Sequence, residues 1–429
     1  MQTLVPLIGV TLFFGASAMA GEFYVAPGGD DSAKGTALSP WATLQHAVDA
    51  AAAGDTIVLR DGAYAGCRIR RSGEEGKPIM LKAEHKWGAI IKGPGEKCRR
   101  KAVIEIVADD SQSRIGCWTL DGLDVDGSNA EDCIMPTVTT HVAVTDCRLH
   151  DSGFPCIMAG HSDYMILENN VAFGSKRSHG IYVANSASHG IIRGNRSYSN
   201  AKCGIHMNGD LSCGPDGLMH DWTVERNVVY DNALVTGGGA INCDGVVDSI
   251  FRNNLLYRNH RTGMTFYSID AAIGSSRNLI ANNTVVMAAD GSWPVVMPKA
   301  DAHPSPTANR FFNNILLPGR DTLGSILVWS SDVPGFESDH NVTCGRFSID
   351  GSDALIDVAK WRAYGYDRHG VVAKVEELFV DVSKDDYRLK EDSPAIAAGM
   401  ALKEVADDIA GARRATAAGY DIGCFQRTK

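Results

Sequence analysis

Between residues 176 and 299 the chain gathers side chains that move protons and hold ions. His206 is an imidazole, the side chain whose ordinary titration lies nearest physiological pH and the first choice for a general base. His179 precedes the neighbouring repeat and can cooperate with it. Asp210, Asp244 and Asp216, with the amide oxygens of Asn208 and Asn242, are the oxygen donors that a hard divalent cation needs, and calcium is the expected ion. Tyr182 and Tyr267 offer a phenolic proton or a flat face, and Lys299, Lys176 and Arg177 offer positive charge to an anion. Each has a plainer explanation. Asp-Gly and Gly-Asp pairs are ordinary turn chemistry, and an outward histidine on a strand is often only solvated or paired.

What would bring these groups together is a repeat. Asn170, Asn195, Asn227, Asn254, Asn283 and Asn314 recur at steps of 25 to 32 residues, four of them second in an Asn-Asn pair. A position recurring at such a period marks a solenoid, here one of short parallel strands. One Asn at each bend can bond the equivalent Asn in the coils above and below, so the ladder is read as structural, and it sets the register. Side chains alternate across a strand. Ile157, Ile181, Ile205, Ile241 and Met264 then stack inward, as do Ala159, Val183, Met207, Cys243 and Phe266. The outward rows are Met158, Tyr182, His206, Asn242, Thr265 and Gly160, Ala184, Asn208, Asp244, Tyr267. The two longest repeats hold the insertions GDLSCGPDGLMHD and ADGSWPVVMPKADAHPSPT, which are expected to wall a cleft over these rows.

The 429 residues include 45 glycines, and only 7% are aromatic. A solenoid carries this length as one domain because each coil touches only its neighbours. The net charge of −10 argues against nucleic-acid or anionic-membrane binding, and a monomer is expected. Residues 1–20 read as a signal peptide, an apolar run ending in Ala18-Met19-Ala20, so export is expected. Of the 11 cysteines, Cys203 and Cys213 bracket an insertion and are the candidate disulfide. Pro40 to Ala53 reads as an amphipathic helix closing the first coil, with Trp41, Leu44, Ala47 and Val48 on one face.

The segment FYVAPGGDDSAKGT…SPWATLQHAVDAAAAGDTIVLRDGAY resembles the N-terminal cap of secreted right-handed parallel β-helix proteins of the pectate-lyase-like superfamily. DYRLKEDSPAIAAGM…GYDIGCFQ resembles their C-terminal segment. The resemblance implies an all-β right-handed parallel β-helix with an N-terminal helical cap over residues 21–334, and a segment at 335–429 folded back on it. It implies activity on a polysaccharide, through β-elimination, hydrolysis or C5-epimerisation; fold alone does not choose between them. The first expectation is a lyase acting on an acidic, uronate-containing polysaccharide. His206 would be the base and Asp210 and Asp244 would handle the cation or carboxylate. Tyr182, Tyr267 and Trp222 would stack on sugar rings, Asn208 and Asn242 would bond the substrate, and Lys176, Arg177 or Lys299 would hold its carboxylate. Hydrolysis needs two carboxylates flanking the bond, which Asp210 and Asp244 on adjacent coils could provide. A non-catalytic carbohydrate-binding or adhesive β-helix is the remaining alternative.

Overall fold

The computed structural model describes residues 20–110, 113–214, 216–235, 237–352, 354–414 and 419–427, so the candidate signal peptide lies, all but Ala20, outside the described residues. Three sheets, each of 12 strands, run the length of the molecule, each coil contributing a short strand to each; all pairs are parallel except the last of the third sheet, where Ile356–Asp357 runs antiparallel to Arg346–Ser348. The first sheet begins with Glu22–Val25 and Thr56–Leu59, the second with Gly62–Tyr64, and the third with Cys67–Ile69. The third sheet carries the candidate site. Its central strands are Ile157–Gly160, Ile181–Ala184, Ile205–Asn208, Gly239–Asp244 and Thr262–Tyr267.

The register is the one the alternation predicts. Tyr182 pairs with His206, His206 with Asn242, and Asn242 with Thr265; Asn208 pairs with Asp244 and Asp244 with Tyr267. Ile157, Ile181, Ile205, Ile241 and Met264 are fully buried, as are Val183, Met207, Cys243 and Phe266. A one-residue slip would turn the whole apolar set outward, which is why such a register is firmly held.

The asparagine ladder holds the bends between the first and second sheets. Asn195 Nδ2 donates to Asn227 Oδ1 at 3.0 Å and Asn227 Nδ2 to Asn254 Oδ1 at 2.9 Å, and the backbone N–H of each Asn bonds the same acceptor. The Asn-Asn pairing now has a reason. Asn169, Asn253, Asn282 and Asn313 take φ between 53° and 58°, a left-handed conformation that Asn tolerates and most side chains do not. The ladder continues through Asn341 and ends on the Asp367 carboxylate. Accordingly the coils run past residue 334, where the sequence placed their end, through Glu337–Asp339, Val342–Thr343 and Arg346–Ser348.

The N-terminal helix spans Leu44–Ala50, shorter than Pro40 to Ala53, because Thr43 caps it and Trp41 is bridged to Val25 in extended backbone. Its buried side chains are Leu44, Ala47 and Val48. The C-terminal segment returns along the coils: Asn313 Nδ2 donates to Met400 O, Asn253 Nδ2 to Asp407 O, and Asn282 Nδ2 to Asp421 O. Ala395, Ile422 and Cys424 complete a second buried apolar cluster there. No described helix is long and apolar enough to cross a membrane.

Candidate active site

The polar rows of the third sheet gather around one imidazole pair. His179 stands in the turn before Ile181–Ala184, and its Nε2 lies 3.2 Å from His206 Nδ1. The backbone N–H of Cys203 donates to His179 Nδ1 at 3.1 Å. His206 Nε2 lies 3.3 Å from Tyr267 Oη. Together these contacts fix the protons. A backbone N–H can only donate, so His179 Nδ1 carries the lone pair and Nε2 the hydrogen. His179 Nε2–H then donates to His206 Nδ1, which leaves the His206 hydrogen on Nε2, aimed at Tyr267 Oη. Tyr267 accepts it and has its own O–H to give elsewhere.

Burial keeps this chain uncharged. It pushes the His206 pKa down to about 4, with the Lys202 charge acting in the same direction, and lowers His179 well below the usual imidazole range. Burial also raises the Tyr267 phenol far above its ordinary value and pushes Tyr182 up to about 12, the carboxylates of Asp270, Asp210 and Asp244 adding to the latter. The Tyr182 ring lies 4.8 Å from that of His206, tilted by 38°. At neutral pH the cluster therefore holds two neutral imidazoles and two protonated phenols. The lone pair that a basic His206 would offer faces His179, not solvent, so His206 is a donor to Tyr267 and the geometry opposes the base role expected for it.

Beside Tyr267 opens a groove of about 560 Å³ whose lining includes Asn242, Thr265, Tyr267, Lys299, Asp301 and His303. The strand floor is tight: a Cβ on Gly239 would come within 2.4 Å of Thr262 Oγ1, and Gly238 takes φ +135°. The second insertion forms a wall through Pro298, Lys299 and the residues up to His303, as expected. The first insertion reaches the turn after Tyr267, where Leu211 N–H donates to Asp270 O. Asn242 lines the groove, but its Oδ1 is buried and has no hydrogen-bond partner.

Several expected residues go elsewhere. Asp244 is fully buried, and its carboxylate accepts the backbone N–H groups of Ile269 and Asp270, holding the turn after Tyr267. Asp210 caps Ser212, and Asp216 pairs with His220 Nε2 at 2.7 Å. Among the described residues these three carboxylates do not gather as a metal-binding group. They do not fit the calcium site expected of them. Asn208 is buried, its Nδ2 donating to Gly209 O. Trp222 is a core residue, 1% exposed, with Nε1 donating to Ala187 O and its ring lying under Gly190. Arg177 pairs with Glu131 and lies over the Phe154 ring, and Lys176 reaches Ser128 O; neither lines the groove. Cys203 and Cys213 are both free thiols, Cys203 being buried behind His206. Asp301 and His303 were overlooked. Their signal was present, a histidine and an acid within the longest insertion.

Residues 23–210 match the family model for the Pel9A-like right-handed β-helix region. Over this stretch, a little under half of its length, the chain is similar to that family, and its fold is a parallel β-helix throughout. Pectate lyase PEL9 of Emericella nidulans is 40% identical over 80 residues, which is 18% of this chain and 20% of that protein. The match therefore spans a fifth of that relative's length. Among solved structures, pectate lyase Pel9A superposes with a TM-score of 0.65 at 14% identity, covering 96% of this β-helix and 98% of that chain. A rhamnogalacturonan lyase superposes with a TM-score of 0.60 at 17% identity, covering 87% and 96%. At these identities the superpositions establish the fold of the β-helix and leave its reaction to the groove.

Proposed function

We propose that this β-helix is an exported polysaccharide lyase that cleaves a uronate-containing glycan by β-elimination in the groove beside Tyr267. The observation that carries the reading is the hydrogen-bond chain from His179 through His206 to Tyr267. It leaves the Tyr267 O–H as a proton donor at the edge of a groove that also holds an ammonium and a second imidazole. β-Elimination needs three things: relief of charge on the uronate carboxylate, a base at C5, and a proton for the departing glycosidic oxygen. Lys299 supplies the first and His303 the second. Tyr267 supplies the third, oriented by His206. Carboxylate neutralisation thus falls to Lys299, and no step is assigned to calcium.

Hydrolysis is less well supported. It needs two carboxylates across the bond. Of the described residues lining the groove, Asp301 alone is a carboxylate, while Asp244 is occupied by backbone donors. The test is incubation of the purified protein with a panel of acidic polysaccharides while following the ultraviolet absorbance of the unsaturated product. A rise that Tyr267→Phe removes supports the lyase. New reducing ends without a rise would replace it with a hydrolase, and exchange of the C5 proton without chain cleavage with an epimerase.

A further inference from the structure

A second histidine pair lies outside the groove lining, nearer the C-terminal end of the coils. His340 follows the strand Glu337–Asp339, and His369 precedes Val371–Val372 one coil later. Their rings stack with centroids 5.0 Å apart and planes 18° apart. A nitrogen of each ring and a carboxylate oxygen of Asp339 lie within 4.8 Å of one another. The contacts again fix the protons. His369 Nδ1 lies 2.7 Å from Asp339 Oδ2, and a carboxylate can only accept, so Nδ1 carries the hydrogen. His340 Nδ1 lies 2.9 Å from the Ala398 carbonyl oxygen, so it too is the protonated nitrogen. Both Nε2 atoms therefore keep their lone pairs, and no described group bonds to either.

This is the hydrogen bonding that metal-binding histidines adopt. One ring nitrogen donates to a carboxylate or a backbone carbonyl, which sets the tautomer and raises the basicity of the other. Asp339 is itself held, since its Oδ1 accepts the backbone N–H groups of His340 and His369, both at 2.8 Å. The pair is open to solvent, His369 most of all, with 67% of its side chain exposed. We infer that His340 and His369 form a surface site for one divalent first-row transition ion, bound through the two Nε2 atoms, with Asp339 and the Ala398 carbonyl as positioning groups. Imidazole donors suit copper, nickel and zinc, with copper the tightest. Because the ligands come from successive coils and Ala398 from the returning segment, the ion would tie these three together. This site is independent of the proposed lyase activity.

The experiment uses the full chain with copper(II) alone. Electron paramagnetic resonance at one equivalent should show coupling to two nitrogens, and isothermal titration one site per chain. His340→Ala and His369→Ala should each weaken binding by about tenfold or more, since each removes half of a chelate. Zinc at a saturating concentration should raise the thermal midpoint of the wild type by about 3 °C and leave both variants unmoved. Thermal midpoints in chelator that match the wild type show that the variants fold. Affinity unchanged in both variants, coupling to fewer than two nitrogens, or no binding by the wild type would each overturn the site.

Discussion

The two histidine pairs use the same side chain to opposite ends, and the difference lies in what faces Nδ1. At His179 a backbone N–H points at Nδ1, which forces the hydrogen onto Nε2 and passes the same pattern to His206. At His340 and His369 a carbonyl and a carboxylate face Nδ1, which draws the hydrogen there and frees both Nε2 atoms. The first pair is buried with its last hydrogen aimed at Tyr267; the second is open to solvent with both Nε2 lone pairs free. Spacing alone does not distinguish them, since one ligand atom each from His179, Cys203 and His206 also lies within 4.8 Å of the others. Proton bookkeeping separates them. A metal on His179 Nε2 would need an imidazolate, because the Nδ1 lone pair already accepts the Cys203 N–H, whereas the surface pair keeps both Nε2 lone pairs free.

The largest effect should come from ending the relay at its last oxygen. Tyr267→Phe keeps the ring and removes the O–H, and kcat on the preferred polysaccharide should fall by about 10² to 10⁴, the span of general acid catalysis, with KM little changed. Lys299→Ala should instead raise KM strongly, since it removes a charge that binds the ground state as well. Equal activity in Tyr267→Phe would show that the chain of hydrogen bonds is only structural.

The next effect is on stability in acid. His206 is held at about 4 in the fold against about 6.5 unfolded, so between these values the unfolded chain binds a proton that the folded chain does not. Stability from this group is complete above pH 6.5 and is lost as pH falls towards 4, by at most about 3 kcal/mol. His179 adds in the same direction. His150 does the reverse. Hydrogen bonding to Asp124, and to Asp151, raises it to about 9, so its contribution is complete below pH 6.5 and is lost as pH rises through 9. Denaturant titrations from pH 4 to 7 should show the acid loss in the wild type and a shallower one in His206→Leu. Parallel slopes would remove the argument that burial keeps the relay neutral.

Much of the fold was legible because a solenoid repeats its own grammar. The asparagine spacing set the bends, and alternation then placed Tyr182, His206 and Asn242 in one row. The site was legible only to that depth. Alternation says which way a side chain leaves the strand, not whether a neighbouring loop then covers it. Asp244 points outward as read, yet the turn after Tyr267 closes over it and spends its oxygens on backbone N–H groups. Trp222, just after an insertion, was expected to stack on sugar rings, yet it enters the core beneath Gly190, where the lack of a side chain leaves room for the indole. Tautomers were beyond reach, because they depend on one backbone N–H from Cys203 and one carbonyl from Ala398, and neither leaves a mark in residue type.

The smallest effect tests the comparison at its root. Asp339→Ala leaves both imidazoles of the surface pair in place and removes the acceptor that holds the hydrogen on His369 Nδ1. His369 can then exchange tautomers and rotate, and copper(II) affinity should fall about 10-fold, the lower end for loss of a group that orients a ligand. Nitrogen-15 spectra of the metal-free protein should report the cause: His340 and His369 protonated at Nδ1 in the wild type, His369 mixed in the variant, and His179 and His206 protonated at Nε2 in both. Affinity that falls while the His369 tautomer stays fixed would mean that Asp339 acts as a ligand. A His179 hydrogen found on Nδ1 would undo the relay, because His206 would then be free to present a lone pair to Tyr267.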